Sequence, residues 1–185
     1  MKKYKFTGET KTIYLPFGTV TLHRIKAVVE FGLVKVGDLG GWIEKEENLS
    51  HEENAWVYGD AEVCGNAKVY GDAEVYGDAK VYGDAEVRGN AWVCGNAWVC
   101  GNAKVFSTDH VLVIGAIGSR NDFTTFFRDK DNEITVKCGC FLGKIDKFLE
   151  KVTQTHKDTK HTLAYRTAVE VAKLQIDLTE KSTRR

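Results

Sequence analysis

Between Asn54 and Ser107 the polar and apolar positions follow one six-residue period, [Asn/Asp]-Ala-x-Val-x-Gly. It runs nine times without interruption and closes on Asn102-Ala103-Lys104-Val105-Phe106-Ser107, with serine in place of the last glycine. A short fixed period sustained this long predicts a solenoid. Ala and Val stand two residues apart and point to one side of an extended segment, while the two x positions point to the other. Alanine and valine therefore line the interior. The Gly-Asn or Gly-Asp pair between segments tolerates the positive φ that a sharp corner requires, so each hexad ends in a corner and the chain closes on itself as a polygon.

This arrangement closely resembles the left-handed β-helix of the hexapeptide-repeat proteins, in which three hexads make one triangular turn. The resemblance, not the spacing, implies the left hand, against the usual crossover rule. Nine hexads then make three coils, a stack roughly 14 Å tall at the ordinary strand spacing. Both ends of so short a stack expose unpaired edges, so the flanking segments must cap it.

An eighteen-residue period gives the three faces distinct chemistry. One stacks Trp56, Glu74 and Trp92 beside Tyr58, Tyr76 and Cys94; the second stacks Glu62, Lys80 and Trp98 beside Cys64, Tyr82 and Cys100. The third stacks Lys68, Glu86 and Lys104 beside Tyr70, Arg88 and Phe106, with opposite charges on neighbouring rungs, and is expected to face water. The aromatic surface of Trp56, Tyr58, Tyr76, Trp92 and Trp98 is too apolar to stay bare. It predicts either a subunit interface in a homodimer or homotrimer, or coverage by the chain's own C-terminal part.

The flanks read as an N-terminal β cap and first irregular coil over 1–53, and a C-terminal α+β cap over 108–185. In the first, Thr19–Phe31 alternates imperfectly and suggests one or two strands. The glycine-rich bend that follows brings Trp42 and Ile43 to plug the open end of the coil, before a solvated acidic run. In the second, 110–118 reads as a buried strand or irregular last rung, and 123–128 and 133–138 form a hairpin turning at Asp129–Asn132. Helices follow on the stripes Ile145, Phe148, Leu149, Val152 and Tyr165, Ala168, Val169, Ala172, Ile176, and Lys181–Arg185 forms a frayed tail. The fold class is mainly β: a short parallel β-helix between a β cap and an α+β domain.

Composition narrows function mainly by exclusion. Twenty-six basic and 26 acidic side chains cancel, so no general field draws the molecule to DNA or an anionic membrane. No signal-peptide stretch or bilayer-length apolar run appears, which predicts a cytoplasmic protein. Its five cysteines, Cys64, Cys94, Cys100, Cys138 and Cys140, are expected to be reduced thiols. Cys138-Gly139-Cys140 with His156 and His161 downstream suggests zinc, but structural zinc sites space paired cysteines by two or more residues, and Cys138 continues the inward Ile134–Val136 alternation. No metal or cofactor is assigned.

Many hexapeptide-repeat proteins are acyltransferases that use a histidine base beside a coenzyme A groove, and related zinc hydratases use histidines on the coils. In this chain the repeats contain no histidine and no inserted loop. The histidines are His23, His51, His110, His156 and His161, with His51 and His110 near the two ends of the coil, and no catalytic residue is assigned. The remaining candidate is Gly115–Asp122, where Gly118, Ser119, Arg120 and Asn121 combine close backbone approach with donors for a phosphate or carboxylate; the plain alternative is a turn into the hairpin.

Over nearly its whole length the sequence also resembles a group of bacterial and phage hexapeptide-repeat proteins commonly labelled transferases. The shared features are Lys5-Phe6-Thr7-Gly8-Glu9-Thr10-Lys11, the Gly37-Asp38-Leu39-Gly40-Gly41-Trp42-Ile43-Glu44 stretch, the coils, and Cys138-Gly139-Cys140-Phe141. That resemblance implies the architecture and no settled activity; the missing histidines and loops point to a non-catalytic binding or scaffold protein, and the phage association implies a host-directed role, engaging a host protein or sequestering a small anionic, nucleotide-type ligand as an anti-defence measure. A coenzyme A-dependent acyltransferase and a purely structural oligomerisation module are the alternatives.

Overall fold

The computed structural model describes residues 1–15 and 18–179; the expected tail at Lys181–Arg185 lies outside the described residues. Each hexad supplies one two-residue strand: β4 (Trp56–Val57), β5 (Glu62–Val63), β6 (Lys68–Val69), β7 (Glu74–Val75), β8 (Lys80–Val81), β9 (Glu86–Val87), β10 (Trp92–Val93), β11 (Trp98–Val99) and β12 (Lys104–Val105). They stack in parallel with an eighteen-residue offset. Trp92 pairs with Glu74, Trp98 with Lys80, and Lys104 with Glu86, as the expected faces require. Every repeat alanine and valine is buried.

The corners explain the choice of glycine. Gly83 has φ +74, and a Cβ there would lie 2.9 Å from the amide nitrogen of Gly101 in the next coil, so both conformation and stacking exclude a side chain. Next to it, Asn66 Nδ2 donates to Asp84 Oδ1 at 3.0 Å, and Asn54 Nδ2 to Asp72 Oδ1 at 2.8 Å. The mixture of Asn and Asp thus builds donor–acceptor ladders along the corners.

The coil starts before the repeat. Strand β3 (Leu39–Ile43) runs parallel to β5, pairing Trp42 with Glu62 and Ile43 with Val63, and Leu49 bridges to Val69. This raises the solenoid to about four turns. In front of it stands an antiparallel hairpin of β1 (Tyr4–Leu15) and β2 (Gly18–Ala27), giving the six-stranded order β1-β2-β3-β5-β8-β11. Strand β1 carries no alternation clear enough to read from sequence. Its register shifts between Phe6 and Thr10, which breaks the period of two.

Two expectations about the N-terminal end need correction. Ile43 is buried in line with the rung valines, but Trp42 takes the outward position and does not plug the coil. It lies under the ammonium of Lys11 and the guanidinium of Arg24, 4.7 and 5.1 Å from its ring centre. The seal comes instead from Trp56, which is fully buried against Tyr4 and Phe31 at ring distances of 6.1 and 5.3 Å. Trp56 is therefore not an interface residue, because its own cap removes it from water. Lys3 completes the cap, donating to the carbonyls of Ala55 at 2.6 Å and of Glu52 and Glu53 at 3.3 Å.

At the other end, β13 (Val111–Ile117), β14 (Asp122–Arg128), β15 (Ile134–Cys138) and β16 (Phe141–Lys144) form an antiparallel sheet in chain order. Helices α1 (Ile145–His156) and α2 (Lys160–Gln175) pack on it. Strand β13 is half-exposed at the sheet edge, correcting its reading as a buried strand or last rung: it pairs antiparallel with β14 and not with the coil. Alternation along β14 joins the two halves. Phe127 packs into the core of the coil, whereas Phe126 packs with the helices, and both are fully buried. Thr125 Oγ1 accepts from the Trp98 amide at 3.0 Å, and the Lys130 amide donates to the Asn102 carbonyl at 3.0 Å, so the hairpin closes the last rungs. His110, also fully buried, accepts the Phe106 amide at Nδ1 at 3.1 Å and acts as a local brace.

Among the described residues no helix is long and apolar enough to cross a membrane. Ionisable groups buried in the neutral form predict an alkaline limit to stability. Burial, then the nearby Glu44, pushes the Cys64 thiol up to about 12 from its ordinary 9.0; burial, then Glu86, pushes Tyr70 up to about 12 from 10.0. Tyr4 and Tyr82 move in the same direction, mainly by burial. Between the unfolded and folded values the folded state holds more protons, so this stability is complete below pH 9 and falls as pH rises toward 12. Lys3, lowered by burial to about 8, opposes it, because its buried charge is relieved between pH 8 and 10.5. Melting followed by circular dichroism should give a clearly lower Tm at pH 11 than at pH 8; an unchanged Tm would contradict this account.

Candidate functional site

The second face of the coil is an outward column of Trp42, Glu62, Lys80 and Trp98 on successive rungs. Glu62 is almost fully buried between the ammonium groups of Lys11 and Lys80, each at 2.8 Å. Burial pushes its carboxyl upward, but the two lysines outweigh that and hold it below the usual carboxylate range. Trp98 is half-buried, with the Lys80 and Lys137 ammonium groups 5.6 and 4.6 Å from its ring centre. C-terminal Lys137 lies over part of its ring, and Thr125 Oγ1 accepts from its backbone amide. On the first face Tyr58 and Tyr76 are half-buried, and Trp92 remains 51% exposed.

Two hollows flank this junction. The larger, about 490 Å³, lies between the second face and the C-terminal sheet and includes Trp98, Phe123, Lys80, Lys137, Asp78 and Asp122. Its cations are already engaged, Lys80 by Glu62 and Lys137 by the Gly139 carbonyl, and its two aspartates oppose an anion.

The smaller, about 290 Å³, lies within the C-terminal domain. Ser119 and Arg120 enter it from the β13–β14 turn; Cys138, Cys140 and Phe141 form one wall; Phe148, Lys151, Thr155 and His156 project from α1, and Tyr165 from α2. No carboxylate lines it, whereas Arg120 and Lys151 bring two cations to an aromatic floor. Tyr165 keeps its proton: burial, then its contact with Cys138 (Sγ to Oη 3.7 Å), pushes it up to about 12. Thr124 Oγ1 lies 3.3 Å from the same sulfur, and the His156 ring stacks on Tyr165 with centres 6.0 Å apart.

The four residues singled out in sequence separate here. Ser119 and Arg120 line the hollow. Gly118 is buried behind it, where a Cβ would lie 1.9 Å from the Tyr165 hydroxyl; its absence lets α2 approach the turn. Asn121, at φ 49 with its amide donating to the Gly118 carbonyl at 3.3 Å, holds the turn and does not line the hollow. Gly139, at φ +54, has a backbone conformation that favours glycine, and Arg120 Nη2 occupies the space beside it. The Cys-Gly-Cys motif is thus a wall shaped around an arginine, and among the described residues no cluster of three metal-ligating side chains occurs. Lys151, Thr155 and His156 escape the sequence reading because their partners lie on other elements; only their spacing beside Phe148 and Val152 on α1 hints at a shared face.

No family model matches the chain. Over 62 residues, 31% of its length, it is 39% identical to the uncharacterized acetyltransferase YdcK of Escherichia coli (strain K12), and it covers 19% of that protein. This partial similarity agrees with the architecture that the stacked hexads show. The chain has a hexapeptide-repeat β-helix fold. Hexapeptide-repeat β-helix proteins typically oligomerise as trimers.

Proposed function

We propose that this hexapeptide-repeat protein binds a small anionic ligand of nucleotide type in the hollow between the β13–β14 turn and the two helices. The observation carrying this reading is that Arg120 and Lys151 line one hollow, without a carboxylate, together with Phe141, Phe148 and Tyr165. An arginine fork donates two hydrogen bonds to a phosphate, a lysine adds a point charge, and the half-exposed Phe141 ring offers apolar surface to a base. At about 290 Å³ the hollow matches the lower end of small-molecule pockets, which run from roughly 300 to 1,000 Å³, and suits a mononucleotide better than a whole coenzyme. Binding without turnover is the expected mode.

Coenzyme A-dependent acyl transfer is the second reading, favoured by the partial similarity to a protein named an acetyltransferase. Calorimetry with inorganic phosphate, adenosine monophosphate and acetyl-coenzyme A separates the two. The nucleotide should bind, and Arg120→Ala should weaken it at least tenfold, as expected for loss of a charge-assisted contact of about 1.5–3 kcal/mol. Unchanged affinity in Arg120→Ala would remove the proposal. Release of free coenzyme A from acetyl-coenzyme A in the presence of an acceptor amine would install the second reading.

A further inference from the structure

Helix α2 is apolar on two opposite sides. Tyr165, Ala168, Val169 and Ala172 are buried against the sheet and α1. On the far side Leu163, Val171 and Leu174 are 67%, 42% and 89% exposed, and at about 100° per residue they fall with Thr167 and the first residue, Lys160, into an arc of roughly 80°. Three large aliphatic side chains on one exposed arc are more than the scattered apolar residues of an ordinary surface.

We infer that this stripe is a two-fold contact, in which α2 of one copy lies antiparallel on α2 of a second copy of the chain. Charge complementarity selects the partner and the direction. Exposed Arg166 and Glu170 flank the stripe on the same side, one turn apart. When two such helices run antiparallel, like flanks meet: Leu163 faces Leu174 of the other copy, Thr167 faces Val171, and Arg166 faces Glu170 twice by symmetry. A parallel pair would set this flank against Ala164 and Gln175, which offer no countercharge. Glu170 already engages Lys173 of its own helix at 2.9 Å and Arg166 Nη2 reaches Thr153 Oγ1 at 3.4 Å, so the new pair competes with exposed bonds that contribute little.

The sixteen-residue helix is about 24 Å long, so the contact buries less than a standard interface and association is concentration-dependent. It is separate from any coil-to-coil packing, and the smallest closed assembly it makes is twice the unit the coils form.

Light scattering on the full chain from about 1 to 200 µM tests this. The mass should double across the range, Leu174→Glu should halve it at the highest concentration, and Arg166→Glu should weaken association at least tenfold. The double swap Arg166→Glu/Glu170→Arg should restore association, because it exchanges the two charges without removing either. Both positions are exposed, so an unchanged circular dichroism spectrum should confirm that the variants are folded. A mass insensitive to Leu174→Glu, as expected if a different protein covers the stripe, would overturn self-association. Failure of the double swap to rescue would overturn the antiparallel pairing.

Discussion

Trp56→Ala is expected to cost about 3–5 kcal/mol, the range for emptying a fully buried large aromatic site. The indole is wedged between the first rung and the cap, against Tyr4 and Phe31, and Gly40 leaves room for its edge: a Cβ at Gly40 would lie 2.6 Å from Trp56 Cζ2. The neighbourhood cannot collapse readily, because rung spacing is fixed by hydrogen bonds such as Trp56 N–H to the Ala73 carbonyl at 3.0 Å. In a solenoid, loss of a cap also weakens the adjacent rung, since each coil is supported only by its neighbours. At roughly 2–4 °C per kcal/mol for a domain of this size, the Tm should fall by 6 °C or more. Trp92→Ala, at the same position two coils on but 51% exposed, should stay within about 1 kcal/mol in the isolated chain. If Trp92→Ala proved the more damaging of the two, the internal role given to Trp56 would be wrong.

Phe127→Ala and Phe126→Ala should each cost about 3–5 kcal/mol, but in different places. The two residues are adjacent and fully buried, yet β14 sends Phe127 into the coil and Phe126 into the helical core. Hydrogen exchange should therefore show lost protection around Trp98–Val105 in Phe127→Ala, and around α1 and α2 in Phe126→Ala. The same pattern in both variants would mean that the strand does not partition the cores. The turn after β14 supplies an internal reference. Asp129 is buried, and although burial pushes its carboxyl up, Lys144, Thr135 and the amides of Asp131 and Glu133 outweigh that and hold it below its usual range. The hairpin should accordingly stay closed at neutral pH in both variants.

The solenoid was legible because its information is local and repeated. Once three hexads make a turn, each outward residue is assigned a vertical neighbour by counting eighteen, and the observed register follows that count. The expected alternation of charge on the third face appears as the Lys104–Glu86 pair at 2.6 Å, with the Tyr70 hydroxyl donating to Glu86 at 3.1 Å. The amphipathic helices and the hairpin at Asp129–Asn132 were readable for a similar reason, since period and turn chemistry lie within a few residues of one another.

The aromatic surface was not readable in the same way. Counting placed Trp56, Trp92 and Trp98 outside the coil but could not say what covers them. Strand β1, some forty to fifty residues earlier in the chain, brings Tyr4 and Lys3 over the first; Lys137, about forty residues later, lies over the third. The hollow followed the same rule: Arg120 was visible as a donor on a glycine-rich turn, but Lys151 and Tyr165 join it only because α1 and α2 fold onto the sheet. The sequence by itself determined the repeat, its inward alanines and valines, its corners and the stacking of its faces, because a six-residue period repeats the same local constraints at every rung. Tertiary structure alone decided which aromatic residues are sealed, which stay exposed and where cations converge, because those outcomes depend on contacts between segments far apart in the chain, on which local periodicity places no constraint.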